Sequence, residues 1–399
     1  MKNNIQVLKK NSCYGCRSCE QVCPKKCIQM REDNEGFLYP LADNIICSSC
    51  GVCTKHCPGL TDTNISTEYT QKVYAAKHVD KQVLNNSSSG GVFSAIAEKV
   101  INNGGVIFGC ELDSSLKVRH TCVDSYDGLK KLRGSKYVAS DLEDSFKEAK
   151  KILDTGRHVL FSGCPCHIAG LKAFLNKDYV NLYTCDLICH GTPSPKLFKK
   201  YIDYLQDKHK MKITNYEFRN KEKKGWGMNI KISLSNEETS KVSRPICLLD
   251  PYYSSFLSAQ TYRPSCYSCK YTQISREGDF TLGDYWGIER FHPEIYSPQG
   301  VSVLLVNSRK GHELFNSIRE NLIYIPSSVE KAQVKNGNLN KPSPRPKERG
   351  YIYNDIDNLD FYIYSQKYLN SGNRIISFIK YILPQSLKIK LKKYLLNRK

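Results

Sequence analysis

The sequence predicts an α+β architecture: a small cysteine-dense head, an α/β body built on a mixed, partly parallel sheet, and a basic helical tail. Three observations predict it. Nine of the 18 cysteines fall within residues 1–60, in two copies of one spacing. Short apolar runs then alternate with amphipathic stretches of about ten residues, the pattern of strand–helix–strand crossovers. The last 59 residues carry 13 Lys and Arg against four Asp and Glu, nearly half of the net charge of +20.

Composition bounds the rest. A chain of 399 residues, 40% apolar and 25% charged, is a globular protein of two or three domains. No apolar run approaches the roughly 18 residues of a spanning helix. The start, Met1-Lys2-Asn3-Asn4-Ile5, lacks the apolar core of a secretory signal. The expected location is therefore the cytoplasm, where cysteines serve as metal thiolates rather than disulfides. The body is only mildly basic and shows no basic stripe interleaved with aromatics, so nucleic acid is not expected as a partner.

The head is read as a two-cluster domain over residues 1–66; within it residues 1–60 have short polar spacers and little apolar periodicity and can hardly fold around a hydrophobic core. Residues 61–67 read as a linker. The body opens with a strand at 73–79, a Ser/Gly turn at 85–91 and a helix at 92–101 with Phe93, Ile96, Ala97, Val100 and Ile101 on one face. A strand at 106–110 follows, then a helix at 142–153 stopped by Gly156 and a strand at 158–161. A helix after Pro165, a strand at 181–188 and a helix at 195–205 complete the alternation. Residues 213–305 look richer in strands, such as 228–234 and 301–306. Residues 69–150 and 151–335 are read as two parts of one domain. The Asn/Lys/Pro-rich 336–350 reads as a loose linker within a linker-and-tail unit over 336–399.

The strongest motif is Cys13-x-x-Cys16-x-x-Cys19-x-x-x-Cys23-Pro24, repeated as Cys47-x-x-Cys50-x-x-Cys53-x-x-x-Cys57-Pro58. Three cysteines at two-residue gaps wrap one face of a 4Fe–4S cubane, and the fourth, before proline, ligates the other cluster. One cluster therefore takes Cys13, Cys16, Cys19 and Cys57, the other Cys47, Cys50, Cys53 and Cys23. A zinc ribbon needs only two Cys-x-x-Cys pairs and leaves the remaining cysteines unused. Cys27 lies outside the pattern and reads as a free thiol.

A second constellation is dispersed: Cys164-Pro165-Cys166-His167, Cys185 through Cys189-His190-Gly191, and Cys266-x-x-Cys269. Cys166 and Cys189 fall where parallel strands end, the place open α/β sheets put their ligands. Spacing alone is equally compatible with a third cluster, a single zinc or buried structural cysteines. Ser87-Ser88-Ser89-Gly90-Gly91 entering a helix suits an anion, because glycine lets backbone amides approach it; an ordinary turn explains it as well. Arg133-Gly134-Ser135-Lys136-Tyr137 offers two cations and an aromatic face. From Arg374 onward there are eight cations and no acid, with Ile375, Ile376, Phe378, Ile379, Leu387 and Leu391 at helical spacing. That tail over 374–399 suits peripheral contact with the anionic inner face of a membrane, or docking on its own domain.

These residues together resemble the coenzyme F-420 hydrogenase/dehydrogenase beta-subunit family, in the version with a fused two-cluster ferredoxin domain. The landmarks are Ser89-Gly90-Gly91-Val92-Phe93-Ser94, Leu132 to Val138, Gly163-Cys164-Pro165-Cys166 and Asp186 to Gly191. They continue with Phe218-Arg219-Asn220-Lys221, Arg263-Pro264-Ser265-Cys266-Tyr267-Ser268-Cys269 and Gly283-Asp284-Tyr285-Trp286-Gly287. The resemblance implies FAD and a third 4Fe–4S cluster on Cys166, Cys189, Cys266 and Cys269. It also implies FAD contacts from Ser89, Gly90, Gly91 and from Arg133, Gly134, Ser135, Lys136 and Tyr137. Cys164 stands where the family usually has threonine. Cys185 lies outside the shared pattern, so neither is offered as a ligand.

The expected function is an iron–sulfur flavoprotein oxidoreductase. It would pass electrons between a ferredoxin or similar one-electron redox protein and a small two-electron substrate. Members with the Cys189-His190-Gly191 form often accompany surface-polysaccharide synthesis, so the substrate is read as coenzyme F-420 or a polysaccharide intermediate. The alternative is an electron-transfer adaptor with no substrate site of its own; a redox sensor is disfavoured by the lack of a DNA-binding motif. His190 beside Cys189 is read as structural rather than as a proton donor.

Overall fold

The computed structural model describes residues 3–61 and 69–369; the linker at 62–68 and the basic tail over 374–399 fall outside them. In the head, α1 (Ser18–Gln21), the hairpin β1 (Ile28–Glu32) with β2 (Leu38–Ala42), and α2 (Val52–Lys55) surround the two cysteine runs. The repeat in sequence is a repeat in backbone. Gly15 and Ser49, then Arg17 and Gly51, take positive φ at matching places before the two short helices.

The body begins with β3 (Lys72–His78), α3 (Lys81–Asn85), α4 (Val92–Asn102), β4 (Val106–Leu112), β5 (Val118–Val123) and α5 (Tyr126–Leu132). It continues through α6 (Ser145–Asp154), β6 (Val159–Gly163), α7 (Pro165–Leu175), β7 (Leu182–Leu187) and α8 (Pro195–His209). A separate antiparallel sheet follows, β8 (Lys212–Glu217), β9 (Lys231–Ser235) and β10 (Ser240–Ser243), then α9 (Pro251–Leu257). Last come β11 (Phe280–Asp284), α10 (Ile288–Phe291), β12 (Ser302–Val306), α11 (Arg309–Asn316), β13 (Leu322–Ser327), α12 (Val329–Gln333) and α13 (Phe361–Tyr368).

The main sheet has eight strands in the order β13-β3-β12-β11-β7-β6-β4-β5. Its centre, β4, β6, β7 and β11, is parallel, and both flanks are antiparallel. Alternation along the strands feeds two cores, because successive side chains point to opposite faces. Ile107 and Leu160 meet Val92, Ile96 and Val100 of α4 on one face. Phe108 and Phe161 meet Phe146 of α6 with Ile168 and Leu171 of α7 on the other. With helices on both faces, the central strands read as near-continuous apolar runs.

A third core joins the small sheet to α8, α9 and α13 through Phe198, Tyr201, Tyr216, Tyr252, Tyr253, Phe361 and Tyr364. The expectation of a loose linker at 336–350 is corrected here. Asn336, Leu339 and Arg349 are at most 3% exposed, and Ile352, Tyr353 and Ile356 extend the aromatic core. An Asn/Lys/Pro-rich stretch shows no periodicity, yet it is held by backbone turns and by Arg349 paired with Glu35 of the head.

Candidate functional site

Each cysteine run of the head lines one cavity with help from the other run. Cys13, Cys16, Cys19 and Cys57 surround the first, and Cys23, Cys47, Cys50 and Cys53 the second, the crossed grouping that the spacing predicts. Cys27, read as a free thiol, also lines the second cavity, with its Sγ 3.5 Å from that of Cys23. Burial differs between the two sites. All four cysteines of the first are buried, whereas Cys50 of the second is exposed.

The thiols sit in surroundings that suit a cationic metal core. Burial pushes Cys16 up to about 12, assisted by the charges of Cys57 and Cys13, while the Ser18 backbone N–H opposes it. Burial likewise pushes Cys57 to about 11 and Cys19 well above the ordinary thiol range. Cys47, near the surface, is held low, first by the Ser49 backbone N–H and then by the Asn4 amide. Converging buried thiolates repel one another, so a positive core is the partner that lets them ionise together.

The dispersed cysteines also converge. Cys166 lies in the first turn of α7, Cys189 just past the end of β7, and Cys266 and Cys269 at the 264–268 turn and its cap. All four line one cavity of about 630 Å³ together with Tyr14, Arg263 and Arg276. Burial drives Cys166 well above its usual range, with Cys269, Cys189 and Cys266 adding repulsion. Cys266 rises to about 11 and Cys269 to about 12, both mainly through burial. Cys189 is instead lowered, chiefly by Cys164, whose Sγ is 3.7 Å away. Sequence reasoning left Cys164 aside, and the fold sets it against a ligand candidate. Cys185 is fully buried in the sheet core and plays no part. Among the described residues no three His, Cys, Asp or Glu side chains close on a single ion.

Head and body meet at this cavity. Gly170 of α7 lies against Cys16, where a Cβ would stand 2.9 Å from the Cys16 Sγ, so only glycine lets the helix come this close. Tyr14 lines both cavities and packs against Tyr271 at 5.2 Å between ring centroids. Asp186, fully buried, takes the guanidinium of Arg276 at 2.9 Å and the Gly278 N–H at 2.8 Å. Arg276 also donates to the carbonyls of Tyr271 and Leu187, tying the Cys269 loop to the strand that delivers Cys189.

A further cavity of about 500 Å³ opens at the carboxyl ends of all four parallel strands, touching Gly109, Gly163, Leu187 and Gly283. It shares Cys164, His167, Cys189 and His190 with the cysteine cavity. The two loops singled out in the sequence meet here. Ser135 donates its backbone N–H to the Ser88 hydroxyl at 2.7 Å, and Ser89, Gly91 and residues 133–137 line the wall. Gly91, at φ +81°, starts α4.

Three expected contacts are modified. Gly90 is not in the wall: a Cβ there would stand 2.3 Å from the Ala76 carbonyl, so its role is close backbone packing. Lys136 turns its ammonium onto the carbonyls of Lys131, Leu132 and Arg133, capping α5, and burial lowers it to about 8. Arg133 is paired with Glu98 at 2.8 Å. Tyr137 keeps one face stacked on Phe256 at 4.2 Å. His190 is exposed and lines both cavities, while its carbonyl accepts a hydrogen bond from Ser343.

Sequence reasoning missed several wall residues. Arg219 pairs with Asp284 at 2.8 Å and donates to the Ser88 carbonyl and the Tyr137 hydroxyl, fastening both loops to β11. His120 is lowered to about 4 by burial and His167 falls well below its usual range, so both rings are neutral. The Nδ1 of His167 is buried without a partner in the shared wall. The Phe-Arg-Asn-Lys and Gly-Asp-Tyr-Trp landmarks were the signal for Arg219 and Asp284.

Comparison with known proteins agrees with this division. Residues 12–61 match the family described as 4Fe-4S dicluster domain. Residues 156–331 match the family described as the C terminus of the beta subunit in coenzyme F420 hydrogenase/dehydrogenase. One curated relative, the coenzyme F420-dependent sulfite reductase of Methanocaldococcus jannaschii, is 25% identical over 207 residues, or 50% of this chain. The match covers only 30% of that relative's length. A solved chain of the F420-reducing NiFe hydrogenase complex from Methanosarcina barkeri aligns at 16% identity and a TM-score of 0.45, over 69% of this chain and 92% of that one.

Proposed function

We propose that this chain, whose residues 12–61 match a 4Fe–4S dicluster domain and whose residues 156–331 match the C terminus of the coenzyme F420 hydrogenase/dehydrogenase beta subunit, is an iron–sulfur flavoprotein oxidoreductase linking a one-electron protein donor to a two-electron substrate. The observation that carries this reading is a continuous series of sites. The inner of the two head cysteine cavities shares Tyr14 and Gly15 with a third in the body, and the third shares a wall with a cavity at the strand ends; the outer head cavity is linked to the inner one by the crossed cysteines of the repeat. Bound clusters supply one-electron chemistry, and a bound flavin supplies exchange between single electrons and a hydride.

The residues divide the work. Cys23, Cys47, Cys50 and Cys53 hold the cluster nearest solvent. Around it Ile45 is 96% exposed and Ile46 half-exposed, with Lys25 and Lys26 on the surface, a face suited to a protein donor. Cys13, Cys16, Cys19 and Cys57 hold the inner head cluster, and Cys166, Cys189, Cys266 and Cys269 the third. FAD would occupy the strand-end cavity, with Ser88, Ser89 and Gly91 at the start of α4 and Gly134 of the facing loop lining the wall toward its phosphates. The neutral rings of His120 and His167 keep positive charge out of the wall nearest the cysteines. A neighbouring cavity of about 810 Å³ shares Arg133, Gly134, Ser135 and Arg219 with this one. That room beside the cofactor favours an enzyme with its own reactant over an adaptor. The reactant class is a deazaflavin such as coenzyme F-420, with a polysaccharide-pathway intermediate as the competing identity.

Anaerobic purification and reconstitution test the reading. Twelve irons and one extractable FAD per chain are expected, with the flavin bleached by reduced ferredoxin and reoxidised by the deazaflavin. Eight irons, stoichiometric zinc or a colourless body would overturn it.

A further inference from the structure

The chain buries four arginines among the described residues, and one of them is unlike the rest. Arg219, Arg276 and Arg349 each pair with a carboxylate, from Asp284, Asp186 and Glu35 respectively. Arg263, 4% exposed, pairs with none. Its Nε donates to the Cys13 carbonyl at 2.6 Å, and its Nη2 donates to the Leu38 carbonyl at 2.8 Å and to the Cys13 Sγ at 3.3 Å. The guanidinium lies 4.2 Å from the Tyr39 ring centroid. Gly15 leaves space for it: a Cβ there would be 3.0 Å from Nη1. Burying a guanidinium without a counter-charge costs several kcal/mol, so such groups are retained only where an anion compensates. The thiolate of Cys13 is the anion within reach.

The head is a two-fold repeat, so the corresponding cysteine of the other run provides a built-in comparison. Cys47 opens the second run as Cys13 opens the first. Its Sγ receives a hydrogen bond from the Asn4 side-chain amide at 3.6 Å, and Asn4 is as buried as Arg263. One repeat therefore meets a cation and the other a neutral amide. A 4Fe–4S cluster on four thiolates carries −2 when oxidised and −3 when reduced. A buried positive charge on one ligand stabilises the reduced state more, and hydrogen bonds to sulfur act in the same direction.

We propose that Arg263 raises the reduction potential of the cluster held by Cys13, Cys16, Cys19 and Cys57 above that of its twin, so that electrons arriving at the exposed head cluster are drawn inward. One electron leaves the outer cluster, which is oxidised by one, and reduces the inner cluster by one; no proton moves, and the one-electron donor protein restores the outer cluster. Burial alone disfavours the more negative reduced state at the inner site, whose four cysteines are all buried, so it is the Arg263 charge that must offset it for electrons to move inward. Arg263 is a positioning residue, and its backbone also belongs to the third site, since its carbonyl accepts the N–H of Cys266 at 2.9 Å. The proposal rests on the eight head cysteines of the reading above and not on FAD or the third cluster.

The test is an EPR-monitored redox titration of the full-length, iron-loaded protein and its Arg263→Met and Arg263→Lys variants. Arg263→Met should lower one head midpoint by about tenfold in the reduced-to-oxidised ratio, or about 59 mV for a one-electron couple. The other head midpoint should stay, and Arg263→Lys should recover part of the loss. Asn4→Ala should move the other head centre and not this one. Unchanged midpoints at full iron content, or both substitutions moving one centre, would overturn the proposal. If Arg263→Met fails to fold or loses iron, wild-type protein carrying guanidino-¹⁵N arginine decides. A ¹⁵N coupling to a reduced head cluster is expected in pulsed EPR, and its absence refutes the proposal. Wild-type protein lacking flavin or the third four irons would sink the functional reading and leave this titration intact.

Discussion

Replacing Arg276 with methionine probes whether the third site is held by the fold or merely collected by it. The guanidinium and the Asp186 carboxylate are 1% and 0% exposed as side chains, and methionine keeps most of the volume while deleting every donor. Asp186 would retain the Gly278 N–H but lose its only cation among the described residues. Removing one partner of a buried pair costs about 3–5 kcal/mol. The carbonyls of Tyr271, Gln273 and Leu187 lose donors as well, so the upper half of that range is expected. The exposed pair Lys199–Asp203, 75% and 53% accessible, is the internal control and should cost under about 1 kcal/mol when Lys199 becomes methionine. Trp226 and Trp286, 4.4 Å apart beside the strand-end cavity, are the chain's two tryptophans and report unfolding of the body by fluorescence in urea. Iron should fall from twelve to about eight, because Cys269 and Cys189 are tethered through this pair. A cost below about 1 kcal/mol with iron unchanged would refute the argument.

Three further outcomes are expected. Cys166→Ser should remove about a third of the iron while sparing the head signals in EPR; full iron would show that the site is assembled from other cysteines. Burial raises Asp250 to about 6 against an ordinary 3.8, so the native state holds its proton longer and stability falls as pH rises through that window. Asp250→Asn keeps a side-chain cap for α9, whose Tyr253 N–H is bound at 2.8 Å. Relative to that variant, the wild type should lose about 1.3 kcal/mol between pH 5 and pH 7, read from paired urea titrations; parallel curves would contradict the raised value. Ile45→Asp should slow reduction by a ferredoxin several-fold and leave reduction by dithionite unchanged, in stopped-flow traces; equal rates with ferredoxin would move the docking face elsewhere.

Much of the site was legible because its chemistry is local. Cys13, Cys16 and Cys19 are chelate-spaced within one turn of chain, and their crossed fourth ligands follow from the repeat. The strands at 73–79, 106–110, 158–161 and 181–188 were readable from short apolar runs, because a sheet covered on both faces leaves little polar alternation. The antiparallel pairing of the flank was not, although strands at 73–79 and 301–306 were, since β3 pairs with β12 and β13 across more than 200 residues. The aromatic core that captures 351–364 was likewise hidden in a stretch without a period. Lys136 looked like a cofactor cation in sequence, but the end of α5 offers it three carbonyls.

The amino-acid order alone therefore determined which head cysteines group around each cavity and where parallel strands would end, because spacing and period are properties of neighbours along the chain. Tertiary structure alone decided which charge faces which sulfur. Arg263 stands 250 residues from Cys13, and Asp186 stands 90 from Arg276. In both cases a buried charge is tolerable only when folding brings its partner to it, and no local pattern encodes that meeting.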